Sequence, residues 1–247
     1  MIDPSIFQRM AGYASLGSND VVLDIGAGLG FLTRFLASKC KGVMAIESDT
    51  KLVKALREQL RDLSNVQIIE GDVLKVQIPH FNKAVSIPPY NISSPLLLWF
   101  FSKKLDCAVL IFQKEFANRL VASVGSEGYG WLTVAAYYNV EVELLDEIPK
   151  LMFYPRPEVN SVVVLLKPKR PPPFPLKNEA LFKQLVQMLF TQRNRKVRNA
   201  VLPFIKSMHI ATAEDAVNLA DSLLFQDRRV RELAPEDFGA LANSLNK

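Results

Sequence analysis

The stretch at residues 86–91, Ser-Ile-Pro-Pro-Tyr-Asn, combines residue types that could hold an exocyclic amine of a nucleobase during methyl transfer. The lone pair of such an amine is delocalised into the ring, so a methylating site needs acceptors for the N–H groups and an aromatic ring that stacks on the base. Amino-methyltransferases place Asp, Asn or Ser there, then one variable residue, Pro, and Tyr or Phe. Here Pro88, Pro89 and Tyr90 fill the last three positions, and Ile87 stands at the polar one. Because Pro-Pro-Tyr also occurs in plain turns, its meaning depends on its neighbours.

A glycine-rich turn lies about sixty residues upstream of this stretch. Residues 21–25 form a short apolar run that ends at Gly26, Gly28 and Gly30, and residues 31–39 then have helix-compatible apolar spacing. This order predicts a strand, a turn and a helix. Glycines let a backbone approach a ligand closely, and the start of a helix offers free N–H groups. The turn is therefore a candidate ligand site, although its glycine pattern alone is a weak signal.

Acidic residues occur at the ends of three successive predicted strands. Asp24 belongs to the first apolar run, Glu47 follows residues 43–46, and Asp72 follows residues 66–69. The carboxyl ends of parallel strands meet at one edge of an open α/β sheet, where such folds bind ligands. There Glu47 would accept the hydroxyls of a ribose and Asp72 an adenine amino group, while each acid alone also suits a solvated strand end. Because the turn lacks the G-x-G-x-x-G spacing of dinucleotide enzymes, the series favours S-adenosylmethionine over NAD.

Composition and charge divide the chain near residue 168. Residues 167–175 are rich in proline, which predicts a stiff linker. Residues 1–167 hold 17 basic and 17 acidic side chains, whereas residues 168–247 hold 13 and 8, so the whole net charge of +5 lies in the second part. We therefore predict an α/β domain at 1–167 and a small, basic, helical domain at 168–247.

The basic residues of the second part concentrate in two short segments. The denser one is residues 192–199, and the other contains Arg228, Arg229 and Arg231. A solvated helix face has the same composition. A positive excess beside a domain of catalytic type nevertheless favours contacts with nucleic-acid phosphates.

Several classes of protein are disfavoured by composition. No apolar stretch approaches the ~20 residues of a membrane span, and the first residues do not form a signal peptide. His80 and His209 are too few and too far apart to predict a metal site. Cys40 and Cys107 suit free buried thiols in a reduced compartment. We expect a cytoplasmic protein without membrane or metal partners.

Two longer blocks remain, and the spacing of Phe153 and Ser161 in the first of them is highly specific. Residues 153–161 read Phe-Tyr-Pro-Arg-Pro-Glu-Val-Asn-Ser, and residues 113–120 read Gln-Lys-Glu-Phe-Ala-Asn-Arg-Leu. Together with residues 2–5, 24–30 and 192–199, they resemble the ribosomal RNA adenine N6-dimethyltransferases, a family that includes small-subunit enzymes and macrolide-resistance methylases. The likeness covers nearly the whole chain. It implies a class I S-adenosylmethionine-dependent methyltransferase fold with a small all-helical C-terminal domain, and an aromatic residue at the start of the 153–161 block that faces the target base.

The chain departs from the family pattern in two places. The family has Asn where Ile87 stands, and Ile cannot accept a hydrogen bond from the adenine amine. The carbonyl of Pro88 stays available, and Ser86 or Asn91 could substitute, but a lost transition-state acceptor can cost about a hundredfold in rate. The chain also starts at Met1 just past the family's Gln-His/Asn-Phe-Leu segment, which helps to close the cofactor pocket. Both departures affect catalysis more than the fold.

The resulting interpretation is S-adenosylmethionine-dependent methylation of adenine N6 in small-subunit ribosomal RNA, with activity lowered by Ile87. The expected protein is a monomer that acts on the immature small ribosomal subunit. One alternative is a non-catalytic ribosome-assembly or nucleic-acid-binding protein that keeps the fold. Another is a DNA adenine methylase, for which Pro-Pro-Tyr is typical but the C-terminal block is not.

The predicted site residues form three groups. Those expected to hold and stack the base are Ile87, Pro88, Pro89, Tyr90 and Phe153, although an aromatic residue at a loop edge also suits core packing. Those expected to bind the cofactor are Asp24, Gly26, Gly28, Glu47, Asp72 and Ser86. Those expected to bind RNA are Arg193, Arg195, Lys196 and Arg198.

Overall fold

The structure, a computed structural model, describes residues 3–208 and 212–246. Ile2 of the first family block and His209 lie outside the described residues. The chain divides into two compact units. The first comprises the described parts of Met1–Ala117 and Val140–Pro168, and the second those of Asn118–Asn139 and Lys169–Lys247.

Seven strands form the sheet of the first unit. They are β1 (Val21–Ile25), β2 (Gly42–Glu47), β3 (Val66–Glu70), β4 (Lys83–Ser86), β5 (Cys107–Gln113), β6 (Val140–Ile148) and β7 (Ser161–Pro168). Their order is β3-β2-β1-β4-β5-β7-β6. The pairs from β3 through to β5 are parallel, and β7 runs antiparallel to both β5 and β6. The chain order reverses between β1 and β4, and open α/β sheets bind ligands at such a point.

Helices accompany these strands. They are α1 (Pro4–Tyr13), α2 (Phe31–Ala37), α3 (Thr50–Gln59), α4 (Ser93–Phe101) and α5 (Lys114–Leu120). Asp49 caps α3 by accepting hydrogen bonds from the N–H groups of Lys51 and Leu52 at 2.7 and 3.3 Å, which satisfies donors that the first turn leaves unpaired. The central strands β1, β5 and β7 are buried along nearly their whole length. Their sequences are therefore apolar runs rather than alternating patterns.

The second unit is helical. It contains α6 (Trp131–Asn139), α7 (Glu179–Phe190), α8 (Val197–Ser207), α9 (Ala213–Ser222) and α10 (Pro235–Leu245). Its core includes Leu185, Leu189, Val201 and Phe238, which are fully buried. None of the helices in the described ranges is long and apolar enough to cross a membrane.

Residues 118–139 pack in the second unit, although the division at residue 168 placed them in the first domain. Tyr129 is 1% exposed in the core of the second unit, and its hydroxyl donates a 2.7 Å hydrogen bond to the carbonyl of Leu233. The proline-rich segment also contributes there, because Phe174 packs 5.0 Å from the ring of Tyr138. No local sequence pattern predicts these long-range contacts. Charge and proline content therefore indicated the boundary near residue 168 but not the two earlier ones, at residues 117/118 and 139/140.

Candidate functional site

A cleft of about 340 Å³ opens at the carboxyl ends of β1, β2 and β3. Four of the residues nominated from the sequence line it: Gly26, Glu47, Asp72 and Pro89. Its other lining residues are Ile25, Ile46, Ser48, Gly71, Val73, Asn91 and Ile92. Four separate chain segments therefore meet at the sheet edge that the strand-end series predicted.

The glycine turn brings the backbone of the first segment close to the Pro-Pro-Tyr loop. Gly26, Gly28 and Gly30 have φ angles of 71°, 58° and 81°, a region that other residues rarely adopt. A Cβ atom added to Gly26 would lie 2.8 Å from Cδ of Pro89. Since no side chain fits there, glycine lets the turn and the loop touch.

Glu47 is fixed at the end of β2 by backbone donors from both sides. Its Oε2 accepts a hydrogen bond from the N–H of Gly28 at 2.9 Å. Its Oε1 accepts from the N–H groups of Ser48 and Asp49 at 2.8 and 2.9 Å. A carboxylate offers about four acceptor positions, so these three bonds orient the group and leave acceptor capacity for a ligand in the cleft.

Asp72 also lines the cleft, where it follows Gly71 after the end of β3. Its Oδ1 accepts a hydrogen bond from the N–H of Leu74 at 3.0 Å, and its Oδ2 lies 3.5 Å from Nζ of the exposed Lys75. The side chain is 38% exposed. The carboxylate is therefore held by the turn and is still accessible from the cleft.

Asp24 lies beneath the turn instead of lining the cleft. It is 1% exposed, and its Oδ2 accepts a 2.7 Å hydrogen bond from Oγ1 of Thr33. Burial raises the pKa of this carboxyl to about 7, against a lowering effect from Thr33 and with a further rise from the charge of Glu47. The structure thus places Asp24 where it joins the turn to α2.

This buried carboxyl predicts a pH-dependent stability. The pKa of Asp24 is higher in the folded chain than its ordinary 3.8, so the stability that its proton provides is complete below about pH 4 and is lost as the pH rises to about 7. Asp24→Asn should remove this change in unfolding free energy, which is on the order of 4 kcal/mol. Urea unfolding from pH 4 to pH 8 measures it, with exposed Glu58→Gln as the control. A constant difference between Asp24→Asn and wild type over this range would contradict the expectation.

Ser86 lies within the sheet and not in the cleft. It is 0% exposed. Its Oγ accepts a hydrogen bond from the N–H of Ile25 at 2.8 Å and donates to the carbonyl of Leu23 at 3.1 Å. The side chain therefore joins β4 to β1 where the two strands end, which differs from its predicted place among the cofactor contacts.

The Pro-Pro-Tyr loop follows directly after Ser86. Pro88 is buried and Pro89 is exposed, and Tyr90 begins a single turn of 3₁₀-helix that ends at Ile92. The hydroxyl of Tyr90 lies 2.7 Å from Oγ of Ser161, the first residue of β7. Desolvation raises the pKa of the Tyr90 phenol, so the ring is neutral at physiological pH. This hydrogen bond fixes the ring beside the segment that carries Phe153.

Ile87 and Phe153 pack against the same apolar cluster of the first unit, which includes Val85, Ile148 and Val163. Both side chains are partly buried. The Ile87 carbonyl oxygen lies 3.7 Å from where a Gly26 Cβ would be. The structure therefore brings the base-site candidates Ile87, Tyr90 and Phe153 into one region, with Ile87 contributing apolar packing instead of an acceptor.

The two basic segments of the second unit lie next to each other and form its basic surface. Backbone hydrogen bonds pair the two basic segments: the N–H of Val197 donates to the carbonyl of Arg228 at 2.9 Å, and the N–H of Val230 donates to the carbonyl of Arg195 at 3.0 Å. An antiparallel bridge also joins Lys196 to Arg229. The guanidinium of Arg229 also donates to the carbonyl of Asn194, 35 residues earlier in the chain. The two basic segments thus lie side by side.

The four predicted RNA-binding side chains differ in their surroundings. Arg193 donates to the carbonyls of Glu127 and Ser126 at 2.9 and 2.7 Å. Lys196 and Arg198 lie 3.0 and 3.5 Å from Oδ1 of Asp227, and this pairing lowers the pKa of Asp227, Lys196 having the largest effect. In the part of the chain that the structure describes, the side chain of the exposed Arg195 has no hydrogen bond or ion pair. Arg193 therefore holds a loop, whereas Arg195 is open to a ligand.

The sequence did not nominate several residues that line the cleft. Ile46, Ser48 and Val73 flank the strand-end acids, and Ile92 follows Asn91, which was named from the sequence as a substitute acceptor. The closeness of the first three in sequence to Glu47 and Asp72 was the one signal that could have predicted them as cleft residues.

Within the described ranges, no group of three or more His, Cys, Asp and Glu side chains could hold a metal ion.

Two relatives are similar to this chain over nearly its whole length. A probable ribosomal RNA small subunit methyltransferase A of Methanosarcina acetivorans is 39% identical over 246 residues, which is 99% of this chain and 90% of the relative. The protein of the same description from Thermococcus kodakarensis is 40% identical over 252 residues, covering 100% of this chain and 88% of the relative.

Solved structures agree on the fold. A dimethyladenosine transferase from Plasmodium falciparum matches with a TM-score of 0.83 and 27% identity, over 98% of this chain and 95% of that one. The 23S rRNA methyltransferase ErmE matches with a TM-score of 0.70 and 26% identity, over 99% and 98%. The predicted class I methyltransferase fold is thereby confirmed. The family model described as ribosomal RNA adenine dimethylase matches residues 1–247, and the chain belongs to that family.

Proposed function

We propose that the protein methylates N6 of adenine in small-subunit ribosomal RNA, acting as a monomer on the immature subunit in the cytoplasm. The observation that carries this proposal is the position of Pro89. It lines the strand-end cleft and adjoins Gly26, while the next residue, Tyr90, is held beside the Phe153 segment. A ligand in the cleft and a base at the loop would therefore be neighbours.

The cleft fits S-adenosylmethionine, the methyl donor of this family. The group supplies an electrophilic methyl on a sulfonium. Glu47, held by three backbone donors, would accept ribose hydroxyls, and Asp72, held by the N–H of Leu74, would accept from the adenine amino group. The glycine turn permits close backbone approach. Asp24 and Ser86 support this site from beneath.

The loop supplies the contacts to the target base. Tyr90 and Phe153 would stack on an adenine that has left the RNA helix, as enzymes acting on bases require. The carbonyl of Pro88 would accept a hydrogen bond from the adenine amine. Asn91, which lines the cleft, is a further polar candidate, whereas the hydroxyl of Ser86 is already used in the sheet. Positioning and polarisation of the amine, and not a strong base, would then drive transfer.

A second candidate is a non-catalytic role in assembly of the small subunit, and the observation that favours it is Ile87. Its side chain packs on an apolar cluster and supplies no acceptor at the position where the family pattern has Asn. Incubation with labelled S-adenosylmethionine and immature small subunits separates the two candidates. The enzyme transfers label to the RNA, whereas the assembly protein binds the subunit and transfers none.

The basic surface of the second unit would bind phosphates, and its members can be tested separately. Replacing Arg195, Lys196 and Arg198 with Ala should lower RNA affinity and flatten its salt dependence, because fewer counterions are released. Filter binding across a salt series measures this, with the exposed Lys183→Ala of the same unit as the control. Arg193 is left intact because it holds the loop carbonyls. An unchanged salt slope would show that these side chains form an ordinary solvated face.

Asp227 provides the opposite test on the same surface. Its carboxylate pairs with Lys196 and Arg198 and so competes with RNA phosphates for them. Asp227→Asn should therefore raise RNA affinity severalfold and steepen the salt slope, since two cations gain phosphate partners. A lower RNA affinity in Asp227→Asn, with thermal stability retained, would contradict this placement of the phosphates.

A further inference from the structure

The loop between β6 and β7 carries an exposed apolar tip. Among the large apolar and aromatic side chains that the structure describes, Tyr154 is the most exposed at 86%, followed by Leu151 at 72%. Met152 and Val159 in the same loop are each 41% exposed. Single exposed apolar residues are common, but four within nine residues of one loop suggest a binding surface.

The base of this loop is held by a polar network. Asn160 donates to Oε1 of Glu147 at 2.8 Å and accepts from the N–H of Lys150 at 3.1 Å. Lys114, at the start of α5, forms a 2.6 Å ion pair with Oε2 of Glu147. A single 3₁₀ turn at Lys150–Met152 then leads into the tip. The exposed residues are thus presented by a fixed support.

The backbone at the tip separates two adjacent aromatic rings. Phe153 has extended dihedral angles, φ −107° and ψ 149°. In extended backbone, successive side chains point to opposite sides. Phe153 accordingly packs against the apolar cluster that includes Val85, while Tyr154 points outward. Phe153 thus lies on the side of the base-site candidates, and Tyr154 faces solvent.

We propose that Tyr154, with Leu151 beside it, enters the space that the target adenine leaves in the RNA stack. This inference rests on the proposed function. A base that leaves a helix loses its stacking partners and exposes the faces of its neighbours, and proteins that distort nucleic acid insert apolar side chains at such steps. The ring of Tyr154 would stack on a flanking base while Phe153 contacts the extruded one.

The charge next to the tip agrees with an RNA partner. Arg156 is exposed, and within residues 3–208 and 212–246 its side chain forms no hydrogen bond or ion pair. The nearby Lys150 uses its ammonium group on the carbonyl of Glu158 at 3.0 Å. Arg156 is thus the cation at the tip that can contact a phosphate beside the stacked ring.

Fluorescence of 2-aminopurine tests this role without depending on turnover. Small-subunit RNA hairpins, each with 2-aminopurine in place of one adenine, are titrated with the protein. For the target hairpin, wild type should raise the fluorescence because the base leaves the stack. Tyr154→Ala should abolish most of this rise, because the stacking partner is lost. On the matching unmodified hairpin, which keeps the N6 amine, it should lower kcat about tenfold with KM within about threefold. Tyr154→Phe should behave as wild type, since it keeps the stacking ring.

The matched control is Val217→Ala, which removes a 44% exposed apolar side chain from α9, outside this loop, and should change neither reading. A Tyr154→Ala protein that keeps the full fluorescence rise and rate would overturn the proposal. A Tyr154→Phe protein as impaired as Tyr154→Ala would also overturn it, because the hydroxyl and not the ring would then matter. A wild type that raises the fluorescence of the 2-aminopurine hairpin but transfers no methyl to the matching unmodified hairpin would instead contradict the proposed function and leave the stacking role intact.

Discussion

Tyr90→Ala should lower the rate of methyl transfer to RNA by about a hundredfold and leave S-adenosylmethionine affinity within about twofold. The ring is fixed by its 2.7 Å hydrogen bond to Ser161 and follows Pro89 at the cleft. Its loss would remove a stacking face and also the hydrogen bond that fixes the loop. Single-turnover assays on immature small subunits, with calorimetry of cofactor binding, measure both quantities.

Two variants separate the parts of this effect. Tyr90→Phe keeps the stacking ring and loses only the hydrogen bond to Ser161, so its rate of methyl transfer should fall by about fivefold.

Ile87→Asn adds the acceptor that the family pattern has, and its rate of methyl transfer should rise by about tenfold if the loop holds the target amine. Ile87→Val controls for packing against the apolar cluster. An Ile87→Asn rate no higher than wild type, together with full activity of Tyr90→Ala, would remove this loop from the base site.

Glu47→Gln should weaken S-adenosylmethionine binding by about 1–3 kcal/mol, the range for a buried polar group that loses its partner. An amide cannot accept from all three backbone N–H groups at this position and still face a ribose with an acceptor. Isothermal titration calorimetry measures the change. The matched control is Glu70→Gln at the end of the neighbouring strand, where the carboxylate accepts from Oγ1 of Thr50 at 2.9 Å and does not line the cleft. Equal affinities for wild type and Glu47→Gln would exclude Glu47 from the site.

The strand-end series could be predicted from the sequence because its causes are local. Apolar runs that end in Glu47 and Asp72 are short enough to be strands, and parallel strands bring their ends to one edge. The glycine pattern marks backbone angles that other residues rarely adopt, and all three glycines have positive φ. The cleft at this edge is therefore a consequence of sequence order and chain geometry.

Other features depend on tertiary contacts that no local pattern contains. Ser86 looks like a free polar residue before a proline loop, and only the pairing of β4 with β1 shows that its hydroxyl is used. Arg193 belongs to a basic run, yet it holds carbonyls 66 and 67 residues away. The burial of Tyr129 in the second unit likewise depends on a partner distant in sequence, Leu233.

Identification of the methylated nucleoside tests the proposed function most directly. Purified protein is incubated with labelled S-adenosylmethionine and immature small ribosomal subunits, and the RNA is digested and separated into nucleosides. The expected result is label in N6-methylated adenosine, reduced by Tyr90→Ala and by Glu47→Gln. Label in cytidine or on a ribose, or no label in RNA from a wild type that binds both cofactor and subunit, would contradict it.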